Sequence, residues 1–178
     1  GDYWSGPDFT NNTRRSCHGG NRADLTGCAY GRYDYAQFAG SAGDYRNSTT
    51  ELGAGGGIIS LDATSLELNG SITAKGDYSY FYAGAGGSIH FDLDSFSGSA
   101  TGMVAANGGN NNYSSTNYTS GAGGRVTIYA VDYSSYRGQW AARSGTSKRV
   151  SGAGTVYVHD TDHKFGKLII DNGGAISQ

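Results

Sequence analysis

Asp62, Asp92, Asp94, Asp132, Asp160 and Asp162 are the acids through which this chain could act on a sugar polymer. Paired carboxylates cleave glycosidic bonds. Clustered acids hold calcium, with a basic residue beside them to take a proton. Asp62 and Asp92 follow similar apolar runs, so a repeating fold can stack them on neighbouring layers beside Lys75 or Arg125. Alternation alone also puts aspartate on the solvent face of a strand, and that requires no chemistry. His90 lies between Ile89 and Phe91 and is expected to point outward. His159 and His163 flank Asp160-Thr161-Asp162, a turn that either holds a cation weakly or is simply solvated. Serines are abundant, but no Gly-x-Ser-x-Gly elbow precedes a helix. The reading is therefore a non-enzyme with no catalytic residue, no metal and no cofactor.

Cys17 and Cys28 are the only cysteines, and they enclose a short loop rich in Gly, Asn and Asp. Such a loop hardly holds itself by packing, so a Cys17–Cys28 disulfide is expected, worth ~3 kcal/mol in chain entropy. The competing metal set of Cys17, His18 and Cys28 lacks an evident fourth ligand. A disulfide points to an oxidising compartment and so to an extracellular or cell-surface protein. The chain begins with Gly and not Met, as a chain does after loss of a signal peptide. Asn-x-Ser/Thr sequons fit that location and stand at Asn11, Asn47, Asn69, Asn112 and Asn117. Asn112 and Asn117 fall in a polar insertion over 108–120, where a glycan is tolerated, and Asn47 ranks next. Asn69 falls at a strand corner.

The elements that position these residues come from a repeat. Gly-Ala-Gly-Gly occurs at 53–56, 84–87 and 121–124, and decays to Gly-Ala-Gly-Thr at 152–155. The copies begin 31, 37 and 31 residues apart. Each is followed by an alternating apolar run: Ile59 and Leu61, Ile89 and Phe91, Val126 and Ile128, Val156 and Val158. A second, Gly-bounded run then carries Ile72, Val104, Trp140, or Leu168 and Ile170. Period-two alternation is a strand with one buried face, and sustained helical periodicity is absent. These thirteen apolar residues are the expected core. The extra glycine of the first unit, Gly57, allows its register to slip by one residue. A β-sandwich of antiparallel hairpins is the competing architecture, but sandwich strands normally lack such self-similarity. A period in this range favours a stacked solenoid whose units share one narrow core.

Gly-Ala-Gly-Gly, a strand, and then Gly-x-Ile/Val-x-Ala-x-Gly resemble the Gly-rich parallel β-helix repeats of secreted and surface proteins, in the broad pectin-lyase-like superfamily. The resemblance covers roughly residues 53–174. Residues 1–52 depart from it. Repeat, handedness of parallel crossovers and cysteine loop together give the expected fold: an all-β, right-handed parallel β-helix of about four irregular rungs, preceded by a disulfide-tied N-terminal segment. The expected division is an arm and cap over 1–52 and solenoid repeats over 53–178. Lyases, adhesins and structural spikes all use this fold, so the resemblance leaves the activity open.

Composition narrows the partners. With 31 Gly in 178 residues and a net charge of −2, the chain has no basic patch for nucleic acid. No apolar window of ~18 residues suggests membrane insertion. Fourteen tyrosines stand against two tryptophans and six phenylalanines. Tyr30, Tyr33, Tyr35, Tyr78, Tyr80, Tyr82, Tyr113, Tyr118, Tyr133 and Tyr136 lie outside the apolar runs, as suits interfaces or sugar stacking. Solenoid ends carry unpaired backbone groups, and little sequence follows the last apolar run to cap it. The expected function is a secreted, glycosylated structural subunit that self-assembles head to tail into a filament or surface coat. Tyr3, Trp4 and Phe9 of the N-terminal arm are the expected subunit contacts. The alternative is a carbohydrate-active enzyme or binding module. Ice binding is disfavoured, because Thr73 and Thr127 belong to no Thr-x-Thr rank.

Overall fold

A computed structural model describes residues 16–23, 27–43, 53–113 and 117–176. The described residues contain no helix. The eight strands are β1 (Ile58–Glu67), β2 (Ser71–Thr73), β3 (Ser88–Ser97), β4 (Met103–Ala105), β5 (Arg125–Asp132), β6 (Gln139–Ala141), β7 (Thr155–His159) and β8 (Lys167–Ile169). Strands β1 to β7 alternate between two sheets, ordered β1-β3-β5-β7-β8 and β2-β4-β6. All pairings are parallel except that of β7 with β8.

Parallel pairing in strict register stacks like on like. Ile59, Ile89, Val126 and Val156 form one row, and Leu61, Phe91, Ile128 and Val158 the next. Ile72, Val104 and Trp140 form the matching row of the short sheet. Both sets join one hydrophobic core. Burying each large side chain contributes ~1.5–3 kcal/mol before entropy is counted. Phe96 stacks on Tyr136 at 4.2 Å between ring centres and Tyr136 leans on Trp140 at 5.1 Å, extending the core where the two sheets meet.

The glycine corners stack so closely that a side chain is excluded. A Cβ on Gly84 would lie 1.8 Å from the Ala54 carbonyl oxygen, and one on Gly154 would lie 1.8 Å from that of Gly124. The apolar rows dominate the register, and the corners adjust to them. Ile58 pairs with Ser88, so Gly57 is absorbed in the corner and Ile59 still meets Ile89. Thr155 pairs with Arg125. The fourth glycine motif therefore sits one residue out of step with the third, a correction to alignment by motif alone.

The fourth unit departs further from expectation. Its second strand, β8, turns back antiparallel on β7 through Val156–Ile169, Tyr157–Leu168 and Val158–Lys167, and does not stack on β6. Leu168 and Ile170 are consequently exposed and not core. Ile59, Leu61, Ile72 and Trp140 pack against the core but are only half-buried. The remaining seven expected core residues are buried.

Residues 16–23 and 27–43 form a strap across the stack. Its backbone bonds to successive glycine corners: Gly40 N to Gly56 O, Ala85 N to Ser41 O, Ala122 N to Ser16 O, and Gly152 N to Asn21 O. The Cys17–Cys28 disulfide is present, with 6.0 Å between the Cα atoms. Ser41 ties the two passes together, accepting from Cys17 N and donating to Cys17 O.

Candidate functional site

The strap also lies over the outward face of the long sheet, and most of the chemistry-bearing side chains gather there. Arg125, facing out of β5, donates Nε and Nη2 to Tyr30 O at 2.9 and 2.7 Å, and Nη1 to Thr155 Oγ1 at 3.0 Å. Thr127, two residues on, donates to Tyr33 O and accepts from Ala36 N. Ser88 donates to Phe38 O, and Tyr129 to Asp34 O. These outward polar side chains are buried or half-buried because the strap covers them. Burial lowers the Arg125 pKa.

Beyond the strap the face becomes an aromatic row. The His90 ring lies 4.8 Å from Tyr35 and 6.0 Å from Tyr129, while Tyr157 contacts Tyr33 at 5.4 Å and stacks on His159. His90 does point outward as expected. Burial lowers its pKa, against a smaller opposing effect of Asp92. Burial first, and then Tyr157 and Asp34, raise that of Tyr129. Asp34 is held below the usual carboxylate range by its hydrogen bond from exposed Arg32.

Asp62 and Asp92 are register partners, with Tyr129 and His159 continuing their row. Both are exposed. Arg125 does not join them, because its guanidinium is spent on Tyr30 O of the strap and on Thr155 of β7. Asp132 accepts from Ser134 N. Asp160 accepts from His163 N and Nδ1, the latter at 2.7 Å. That bond lowers the Asp160 pKa and raises that of His163. The pair borders a cavity of about 180 Å³ with Tyr133, Phe165 and Lys167. Among the described residues, no group of three His, Cys, Asp or Glu side chains is arranged to hold a metal. With both cysteines in the disulfide, His18 has no thiolate neighbour to share a metal with.

His18 is instead the most confined titratable side chain of the strap. It is fully buried and stacked on Tyr30 at 4.8 Å. Its Nδ1 donates to Gly86 O at 2.8 Å, which leaves Nε2 as a buried acceptor without a partner. Burial, aided by the nearby Arg125 charge, lowers its pKa to about 4. Neither His18 nor Arg125 stood out in the sequence as a structural anchor. The only signal for Arg125 was a charge directly after a glycine corner and before an apolar run.

A second aromatic group occupies the corner loops. Tyr78 and Tyr80 meet edge to face at 5.4 Å, and Tyr118 contacts Phe81, Tyr82 and Tyr113. The Arg22 guanidinium sits 4.9 Å over the Tyr82 ring. Tyr30, Tyr82 and Tyr136 are buried and so are not contact surfaces. Asn112 and Asn117 are exposed. Asn69 is exposed too, but its Nδ2 donates to Glu67 and its Oδ1 accepts from Ser99 N on the next unit. Asn11, Asn47, Tyr3, Trp4 and Phe9 lie outside the described residues.

Fold and face together define an all-β, disulfide-linked protein of two largely parallel sheets. No described helix is long and apolar enough to cross a membrane. Compared with known proteins, the chain matches no family model, no curated sequence and no solved structure.

Proposed function

We propose that the chain is a short right-handed parallel β-helix that serves as a secreted structural subunit and self-associates end to end. The hand follows from the near-universal right-handedness of parallel crossovers. The observation that carries the reading is β1. It has ten residues and pairs on one side only among the described strands. Its inward Ile59, Leu61, Ala63 and Leu66 are half-buried, whereas Ile89, Phe91, Leu93 and Phe96 of β3 are buried. A further layer on β1 covers that apolar surface and pairs its backbone. The opposite end offers exposed Phe165, Leu168, Ile170 and Ile176 around the short strand β8. Two unlike apolar ends favour a heterologous contact, which propagates as a filament and does not close into a dimer. Tyr3, Trp4 and Phe9 add to that contact from the arm, and glycans at Asn112 and Asn117 keep the flanks apart.

Negative-stain imaging of native material tests the reading, with filaments expected. The double variant Ile170→Lys, Ile176→Lys alters only exposed side chains and leaves a folded monomer. Wild-type protein that stays monomeric at high concentration removes the proposal. Deleting residues 1–10 and retaining filaments removes only the arm. Enzymatic deglycosylation lowers the mass if the sequons are occupied.

A second reading, a carbohydrate-active enzyme, rests on the Asp62–Asp92 pairing beside the aromatic row. Neighbouring strands are ~4.8 Å apart, near the ~5 Å spacing of retaining carboxylate pairs. Turnover of a polyuronate that disappears in Asp92→Asn favours it over the filament.

A further inference from the structure

We propose that the tyrosine-rich corner loops are a site of oxidative cross-linking, in which Tyr78 is joined to Tyr80 and Tyr113 to Tyr118. The inference rests on the extracellular reading above, since the oxidant is hydrogen peroxide used by a haem peroxidase. Each phenol loses one electron and one proton to give a phenoxyl radical. Two radicals form a carbon–carbon bond between ring positions ortho to oxygen. The ortho hydrogens then move to the oxygens and restore both aromatic rings. One hydrogen peroxide takes up the two electrons and two protons and leaves as two waters.

Ring geometry together with exposure and freedom from the strands selects these pairs: Tyr33–Tyr157 and Tyr82–Tyr118 are as close, but Tyr157 is fixed in β7 and Tyr82 is buried. Ring centres lie 5.4 Å apart in Tyr78–Tyr80 and 5.3 Å apart in Tyr113–Tyr118, both edge to face, which points a ring edge at its neighbour. Tyr78, Tyr80 and Tyr113 are 43%, 49% and 44% exposed, open enough for an external oxidant. Tyr118 is half-buried and is reached through its contact with Tyr113. None of the four sits in a strand, so small backbone adjustments can bring the ring carbons to bonding distance. The sheet-face pair Tyr129–Tyr157 differs. Its centres lie 6.0 Å apart and both residues are fixed in paired strands. Asn111 already ties the two loops, donating to Tyr80 O and Phe81 O and accepting from Tyr113 N. A covalent staple at this corner fixes loops that the sheets do not hold.

The test uses the full chain, at a dilution that makes collisions between copies rare, with a haem peroxidase and limiting peroxide. Trypsin releases residues 76–125 as one peptide, since no Lys or Arg lies between Lys75 and Arg125. That peptide is expected to lose two hydrogens per bond, with fragmentation suppressed between 78 and 80 and between 113 and 118. Replacing all four tyrosines by phenylalanine keeps the rings and lowers dityrosine fluorescence at least fivefold. Tyr33→Phe with Tyr35→Phe leaves it unchanged. Coupling mapped to Tyr33 and Tyr157, cross-linked dimers in place of the internal bonds, or an unmodified 76–125 peptide overturns the proposal. All three readouts come from dilute monomer, so they stand apart from whether filaments form.

Discussion

Strands β1 and β5 have nearly the same inward sequence, Ile59, Leu61 and Ala63 against Val126, Ile128 and Ala130. The inward side chains of β5 are all buried, as are its outward Arg125 and Thr127, while β1 has no buried residue. Alternation sets which way a side chain points. Depth is set by the neighbours, here a strand on each side of β5 and the strap above it. Under the solenoid reading proposed above, stability is mainly a nearest-neighbour sum, so an end unit is weak even when its own sequence is as apolar as an inner one. The strap extends this rule, because it reaches several corners and links units that do not otherwise touch.

The largest expected effect separates an inner layer from an end layer. Phe91→Ala removes a fully buried ring and is expected to cost ~3–5 kcal/mol, a typical core truncation. Leu61→Ala, its register partner on β1, is expected to cost less than half as much, because water already reaches that site. Urea unfolding of the two variants measures the difference, and equal losses mean that β1 is covered in solution. Next comes the strap. Replacing Cys17 and Cys28 by serine is expected to cost ~3 kcal/mol. Hydrogen exchange should then rise at Ala85, Ala122 and Gly152, whose amides bond to the strap, and not at Val104. Uniform exchange across both sheets instead means that strap and stack unfold as one unit.

The contrast between inner and end units also marks where the sequence was legible. Rows of Ile, Phe and Val were readable because parallel stacking asks the same residue type of each unit. The cysteine pair was readable because its loop holds few apolar residues. The reversal of β8 was not, since Lys167-Leu168-Ile169 alternates no differently from a strand that continues the short sheet. The roles of His18, Arg125 and Thr127 were hidden for a related reason. An outward polar residue on a strand reads as solvated, and only the strap, which has no periodicity of its own, turns that face into an interior.

A pH titration probes the strap from inside. His18 has a folded pKa of about 4 against 6.5 when unfolded. Below 6.5 the unfolded chain takes a proton that the folded one refuses, so its contribution is full above 6.5 and falls as the pH drops toward 4. The loss is on the order of 3 kcal/mol. Arg125 is the charge that faces this ring, and Tyr30 and the Gly86 carbonyl are the other contacts. His90, whose pKa is also lowered, adds the same sign, while His163, whose pKa is raised, adds the opposite one. The informative quantity is therefore the slope difference between wild type and His18→Phe. An unchanged slope assigns the acid sensitivity elsewhere.

The smallest expected effect on folding bears most on the edge of β1 that no described strand pairs. Ile58 is exposed and is the one apolar member of a row that continues as Ser88, Arg125 and Thr155. In an isolated monomer, Ile58→Lys changes a side chain that is already 52% exposed and not part of the core, so its stability is expected to stay within ~0.5 kcal/mol of wild type. Lysine on an edge strand also opposes pairing with another chain. If β1 is where the next subunit lands, the variant folds normally but assembles poorly, shown by static light scattering across a concentration series. A stability loss above ~1 kcal/mol in dilute monomer says instead that a segment of the same chain already covers Ile58. Scattering that matches wild type at every concentration says that the contact lies elsewhere. The first result makes β1 a covered strand and the second leaves it at the edge without a subunit landing there, so both remove β1 as the contact on which the end-to-end reading depends.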